Sequence, residues 1–156
     1  MRLETKHFGT LEVDEDKIID FIGGVPGFDG TKYILMKNKD DELSPFMWLQ
    51  SVTNGDISLL LMNPFLIYPN YAPDVRDEYI TGLEHNGRED LTVYNVVVLP
   101  DDLTKMTINL KAPIIINAEK KKAIQVIAEN QDYDIRHYLY EDMKKLKSTT
   151  DGGDDK

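Results

Sequence analysis

The chain contains no cysteine. That removes disulfides, thiolate metal sites and a thiol nucleophile at once. Its three histidines, His7, His85 and His137, stand far apart in sequence and form no local ligand set. No apolar run approaches the roughly 18 residues of a spanning helix. The opening MRLETKHFG lacks the apolar core of a signal peptide, so the expected location is the cytoplasm, with no membrane contact. Basic residues are scarce: 18 Lys and Arg face 28 Asp and Glu over 156 residues, a net charge of −10. Charge of that sign repels nucleic-acid backbones and anionic membranes and favours basic partners. The only basic clusters, Lys120-Lys121-Lys122 and Lys144-Lys145, lack interleaved aromatics, so direct nucleic-acid binding is not expected.

Glycine is concentrated where it raises a question. Phe21 to Phe28 reads FIGGVPGF, either a phosphate-cradling loop or a corner between strands. A dinucleotide fingerprint needs G-x-G-x-x-G and a P-loop ends in Gly-Lys-Ser/Thr. Neither pattern is met by glycines at 23, 24 and 27, and Pro26 removes an amide that a phosphate would use. Pro26-Gly27 instead suits the central positions of a type II turn, with glycine taking the positive φ. Phe21 and Phe28 are then expected to bury on either side of the corner.

The remaining pattern is of short strands. An opening hairpin turns at Phe8-Gly9, and segments 17–22 and 31–37 flank the glycine corner. Segments 46–52 (FMWLQSV) and 57–62 (ISLLLM) surround Asn54-Gly55, a dipeptide suited to a tight hairpin turn. ISLLLM is apolar throughout, as in a strand covered on both faces. Three prolines at 64, 69 and 73 imply an extended connection, after which Val75, Tyr79, Ile80 and Leu83 recur at helical spacing behind Pro73. Strands are expected at 91–99 and 105–110, with a hairpin of 114–117 and 123–128 around a basic turn. From Tyr133 the period turns helical, with Ile135, Tyr138, Leu139, Met143 and Leu146 on one face behind Asp134 as N-cap. Lys39-Asp40-Asp41-Glu42 reads as a solvated loop. Together these predict a mainly β, small antiparallel β-barrel-like domain over residues 1–147, with a short middle helix, a C-terminal helix, and a disordered acidic tail at 148–156.

Chemistry is sparse. Asp134 and His137 share a spacing that reads as a surface pair more readily than as a metal site. The aspartates of VDEDKIID miss the Ca²⁺-loop spacing, and Ser44, Ser51 and Ser58 have no nucleophile-elbow context. An enzyme binding a small molecule or metal on a β-barrel is the alternative reading, and no catalytic, cofactor-binding or metal-ligating residue can be nominated for it.

GVPGF at 24–28, PFMWLQS at 45–51, VVVLPDDLTKMTINLKAPIIIN at 96–117, QVI at 125–127 and YDIRHYL at 133–139 occur in an order and spacing that resembles the FliW family of flagellar assembly factors. The region DVRDEYITGLEHNGRED is more polar than the corresponding helix of that family. The resemblance implies a non-catalytic bacterial regulator with a small β-barrel-like fold and no cofactor. It implies two protein partners. One is the translational repressor CsrA, whose block on flagellin mRNA such factors relieve; the other is flagellin, which displaces the repressor when unsecreted subunits accumulate. A chain at −10 is suited to a basic repressor, with an acidic rim around an apolar centre. For that surface the candidates are Asp101, Asp102 and Leu103, which pair two carboxylates with an apolar residue after a strong strand, and Phe65, at the end of another. Trp48, Ile114 and Ile116 read first as core.

Overall fold

The computed structural model describes residues 1–28, 30–37 and 45–145. The expected acidic loop at 39–42 and the tail at 148–156 lie outside them. Among the described residues eleven strands form: β1 (Arg2–Thr5), β2 (Gly9–Glu12), β3 (Ile19–Phe21), β4 (Lys32–Lys37), β5 (Phe46–Ser51), β6 (Ser58–Met62), β7 (Thr92–Val98), β8 (Thr107–Ile108), β9 (Ile114–Asn117), β10 (Lys122–Gln125) and β11 (His137–Tyr138). β1 and β2 make a separate hairpin. The sheet runs β7-β6-β5-β4-β3-β10-β9, and β7 pairs β9, so seven strands close into a barrel. A fully antiparallel ring requires an even number of strands. With seven, one junction must be parallel, and it is β3 against β10, with Ala123 opposite Phe21. β8 and β11 extend from the far half of β7 as a flap.

Alternation sorts the side chains into layers. Phe21, Tyr33, Leu49, Leu61, Ile114 and Ile116 fill the barrel interior, with Leu59 and Val96 packed against them. The residues between them point outward. Leu60, Met62 and Val97 meet Met106, Ile108 and Leu139 in a second cluster outside the barrel wall. A third joins Ile115 and Val126 to Val75, Ile80 and Leu83. ISLLLM is therefore covered on both faces, as its composition predicts. The middle helix, α1 (Asp77–Ile80), continues as a 3-10 turn over Thr81–Leu83 and ends at Glu84 in the left-handed region. It starts four residues after Pro73, which takes no part in its first turn.

The glycine corner is a turn. Phe28 N–H donates to the Val25 carbonyl at 3.0 Å across Pro26 and Gly27, and Gly27 has φ +85. A second turn precedes it, with Gly24 N–H on the Phe21 carbonyl at 3.0 Å. Phe21 is buried, but Phe28 is exposed and Val25 fills the inner side of the corner instead.

Two further expectations need correction. Asn54-Gly55 does not form a two-residue hairpin turn. The β5–β6 connection is wider, with Ile57 N–H on the Asn54 carbonyl at 3.1 Å and Gln50 Nε2 donating to the Ile57 carbonyl at 3.0 Å. Gly55 is required for a different reason: a Cβ there would lie 1.8 Å from the Glu4 carbonyl oxygen, where β1 crosses the loop. Nor is 133–139 helical. The C-terminal helix, α2 (140–145), begins after β11, and Ile135 and Tyr138 are exposed rather than inward-facing. Asp134 caps no helix; its carbonyl accepts from Leu110 N–H at 3.0 Å.

Candidate protein-docking surface

The flap sets the geometry of the strongest surface. Val98 lies opposite Thr107, and Thr107 opposite Tyr138. Residues directly opposite one another in a sheet project from the same face. The neighbouring row, Val97, Ile108 and His137, faces the outer cluster, in which Val97 and Ile108 are buried. Val98 and Tyr138 consequently stand on the opposite face of the flap, 59% and 67% exposed. The turn joining β7 to β8 adds Leu99 and Leu103, the latter 54% exposed. Asp101 and Asp102 are both exposed at its apex. The result is an apolar strip with two carboxylates at one end.

Asp102 also has a local task. Its Oδ1 accepts from Thr104 N–H at 3.0 Å and from Thr104 Oγ1 at 2.6 Å, capping the 3-10 turn Leu103–Lys105. Among the described residues Asp101 has no such bond, and it acts through its charge alone.

Phe65 belongs elsewhere. It sits on the 3-10 turn Pro64–Leu66, capped by Asn63, whose Oδ1 accepts from Phe65 N–H at 3.1 Å. β6 runs antiparallel to β7 with Met62 opposite Asn95 and Leu60 opposite Val97. A turn after Met62 therefore faces the start of β7, whereas Asp101 to Leu103 follow its end. Phe65 is 42% exposed and leans on Tyr71 with centroids 6.0 Å apart. Burial pushes the Tyr71 hydroxyl up to about 12, against a hydrogen bond from Asn95, so it remains a neutral donor to the Leu110 carbonyl at 2.7 Å. The four nominated residues thus form two patches at opposite ends of one strand.

Beneath the strip, three side chains tie the flap to α2. Tyr68 donates to Asp142 Oδ2 at 2.5 Å, and His137 Nε2 lies 2.9 Å from the same oxygen. Burial of the tyrosine and the carboxylate beside it both raise the Tyr68 pKa. Desolvation pushes Asp142 upward, but the hydrogen bonds from Tyr68 and His137, the positive charge of His137 and Lys145 outweigh it and hold the carboxyl below its ordinary value. His137 therefore pairs with Asp142, not Asp134. A depressed folded-state pKa means that the pairing stabilises the fold above the ordinary aspartate range, near pH 3.9, and that this contribution is lost as pH falls through the lower folded value. Asp142→Asn should lower stability at neutral pH and flatten that acid limb, meeting the unaltered protein once Asp142 is protonated. Thermal melts across acidic pH check it, and a variant with an unchanged acid limb would exclude the pairing as its source.

Trp48 is no free anchor. It is half-buried on the outer barrel wall, stacked by His7 at 6.2 Å and met edge-on by Phe8 at 5.6 Å from the opening hairpin. Among the described residues no group of three or more His, Asp or Glu is placed to hold a metal ion. Among them, too, no helix is long and apolar enough to cross a membrane. The grooves beside Tyr68 and Tyr133, of about 330 Å³, and beside Leu11 and Met36, of about 370 Å³, open to solvent.

Val98 and Tyr138 were missing from the sequence-derived candidates. Tyr138 fell on the inner face of a helix that does not form. Val98 looked like one more member of the apolar run VVVL, and only strand alternation, counted from buried Val97, places it on the exposed face of the flap.

A family model described as FliW protein matches residues 2–139. The chain is 39% identical over 148 residues to the flagellar assembly factor FliW of Alkaliphilus metalliredigens, covering 94% of this chain and 91% of the relative. With the flagellar assembly factor FliW of Caldicellulosiruptor bescii it shares 42% identity over 141 residues, 90% and 91% of the two chains. A crystal structure of the flagellar assembly factor FliW superposes with a TM-score of 0.81 at 33% identity, over 90% of this chain and 97% of that one.

Proposed function

Because the chain belongs to the FliW family of flagellar assembly factors, we propose that it acts without catalysis, in the cytoplasm, as a protein-binding regulator of flagellin synthesis. It binds a CsrA-type translational repressor and so relieves repression of flagellin mRNA. Flagellin binds in turn and frees the repressor, which makes translation follow the stock of unsecreted subunits. The chain itself contacts neither RNA nor membrane.

The observation that carries the reading is the strip of Val98, Leu99, Leu103 and Tyr138 capped by Asp101 and Asp102, on a chain of net charge −10. A repressor that holds RNA carries basic residues. Complementary charge speeds its encounter with this surface, and burial of the apolar strip slows its departure. The second patch, around Phe65, is a candidate for the other partner.

Charge substitution tests this. Asp101→Lys combined with Asp102→Asn reverses one charge, removes another and keeps a side chain able to cap the turn. Association with purified repressor should slow by roughly tenfold at low salt, and the wild-type rate should itself fall steeply as salt rises. A rate that ignores both salt and the substitutions would place the repressor on another face.

A further inference from the structure

β10 leaves an open sheet edge beside an apolar groove. Past Gln125 the chain stays extended, with Val126 N–H on the Pro113 carbonyl at 3.1 Å and Ala128 N–H on the Lys111 carbonyl at 2.8 Å. Antiparallel ladders alternate the direction of backbone groups, so those of Ala123, Gln125 and Ile127 face the other way. There β3 takes up only the beginning. Its register ends at Ala123 opposite Phe21, and Ile22 N–H closes on the Ala123 carbonyl at 2.8 Å. The chain then bends off through Gly23-Gly24. Among the described residues, the amide and carbonyl of Gln125 and of Ile127 have no backbone partner on that side.

Alongside lies a groove of about 460 Å³ whose walls include Tyr79, Ile124, Val126 and Ile127, with Glu129 at the rim. Ile127 is 65% exposed. Sheet proteins commonly blunt such edges with lysine or proline. Gln125 and Ile127 bring neither. At the rim, Glu129 and Glu78 share the single guanidinium of Arg76, so the margin retains negative charge.

We propose that the Gln125–Ile127 edge docks an extended peptide segment of another protein, aliphatic where it faces the groove and basic at its flank, which joins the sheet as an added strand. Donor and acceptor groups two residues apart along an edge match the backbone of a strand and not that of a helix. The groove accommodates an aliphatic side chain between Tyr79 and Ile127. The anionic rim favours a basic flank and disfavours a second copy of this chain, which would bring the same carboxylates with it. The inference is independent of the flap surface, from which it differs in strand, in residues and in test.

The experiment uses the full chain, ¹⁵N-labelled, titrated with an end-capped synthetic octapeptide of alternating valine and threonine between terminal lysines. The expected result is shift changes centred on Gln125, Ile127 and Tyr79, with slowed exchange of the Gln125 and Ile127 amides. Ile127→Asp, at an exposed position, should keep the wild-type spectrum elsewhere and weaken the peptide at least about tenfold. The same peptide N-methylated along its backbone should not bind. Shifts centred elsewhere, no shifts at millimolar peptide, indifference to Ile127→Asp or to N-methylation, or self-association that buries this edge would each overturn the proposal.

Discussion

Phe21→Ala is expected to destabilise the protein by about 3–5 kcal/mol, as removal of a buried aromatic ring commonly does. Phe21 is fully enclosed in the barrel interior, and its ring meets Tyr33 edge-on with centroids 5.2 Å apart and planes at 70°. Its backbone is equally committed. The amide donates to the Thr31 carbonyl at 2.7 Å, the carbonyl accepts from Gly24, and the residue lies opposite Ala123 at the parallel junction that closes the ring. The cavity would open within a strand of only three residues, whose ladders to β10 and β4 each register just two residue pairs. Domain stabilities of about 5–15 kcal/mol leave little margin after such a loss. Two controls separate the ring from the corner around it. Phe28→Ala, at an exposed position, should cost less than about 1 kcal/mol. Gly27→Ala should cost about 1–2 kcal/mol through its left-handed backbone alone, since an added Cβ meets no atom within 4 Å. Denaturant midpoints with unchanged slope supply the measure. A Phe21 variant no weaker than the Phe28 variant would mean that the corner does not close the barrel.

The barrel was legible where local chemistry and tertiary demand agree. Pro26-Gly27 forms the turn its residue types favour, and the lysine-rich tip between β9 and β10 lies where alternation leaves a polar gap. Disagreement arose where another part of the chain intervenes. Gly55 reads as a positive-φ residue, yet it serves to admit the passing backbone of β1, a close approach that no local window contains. Residues 133–139 carry apolar side chains at helical spacing, but Leu110 N–H on Asp134 and Leu139 N–H on Met106 draw them into the flap as a strand edge. A short ladder with distant partners outweighs weak helical preference there.

The candidate surface inherits the same limits. Asp101, Asp102 and Leu103 could be nominated because a polar turn after a strong strand is exposed whatever the rest of the fold does. Tyr138 could not, since its exposure depends on the register of β11 against β8. The union of Phe65 with the Asp101–Leu103 loop was never decidable from spacing. It turns on the antiparallel sense of β6 and β7, which sends the two to opposite ends.

The strip itself yields the second large effect. Tyr138→Thr should weaken the proposed repressor complex by roughly 30-fold, the loss of about 2 kcal/mol that an exposed aromatic at an interface centre commonly brings. Threonine keeps the preference for extended backbone, and the 67% exposed ring contributes little to the core, so folding should change by no more than about 0.5 kcal/mol. The loss should appear in dissociation. An apolar contact acts once the complex has formed, whereas a rim charge acts on approach. The salt dependence of association should therefore match that of the unaltered protein, the reverse of what the Asp101→Lys, Asp102→Asn variant should show. Val98→Thr, nearly isosteric and across the same row, should move the dissociation rate in the same direction and by less. Measured side by side, the variants separate steering from holding. Wild-type dissociation from the Tyr138 variant would remove the flap from the interface, and a defect confined to association would mean that its apolar face is never buried there.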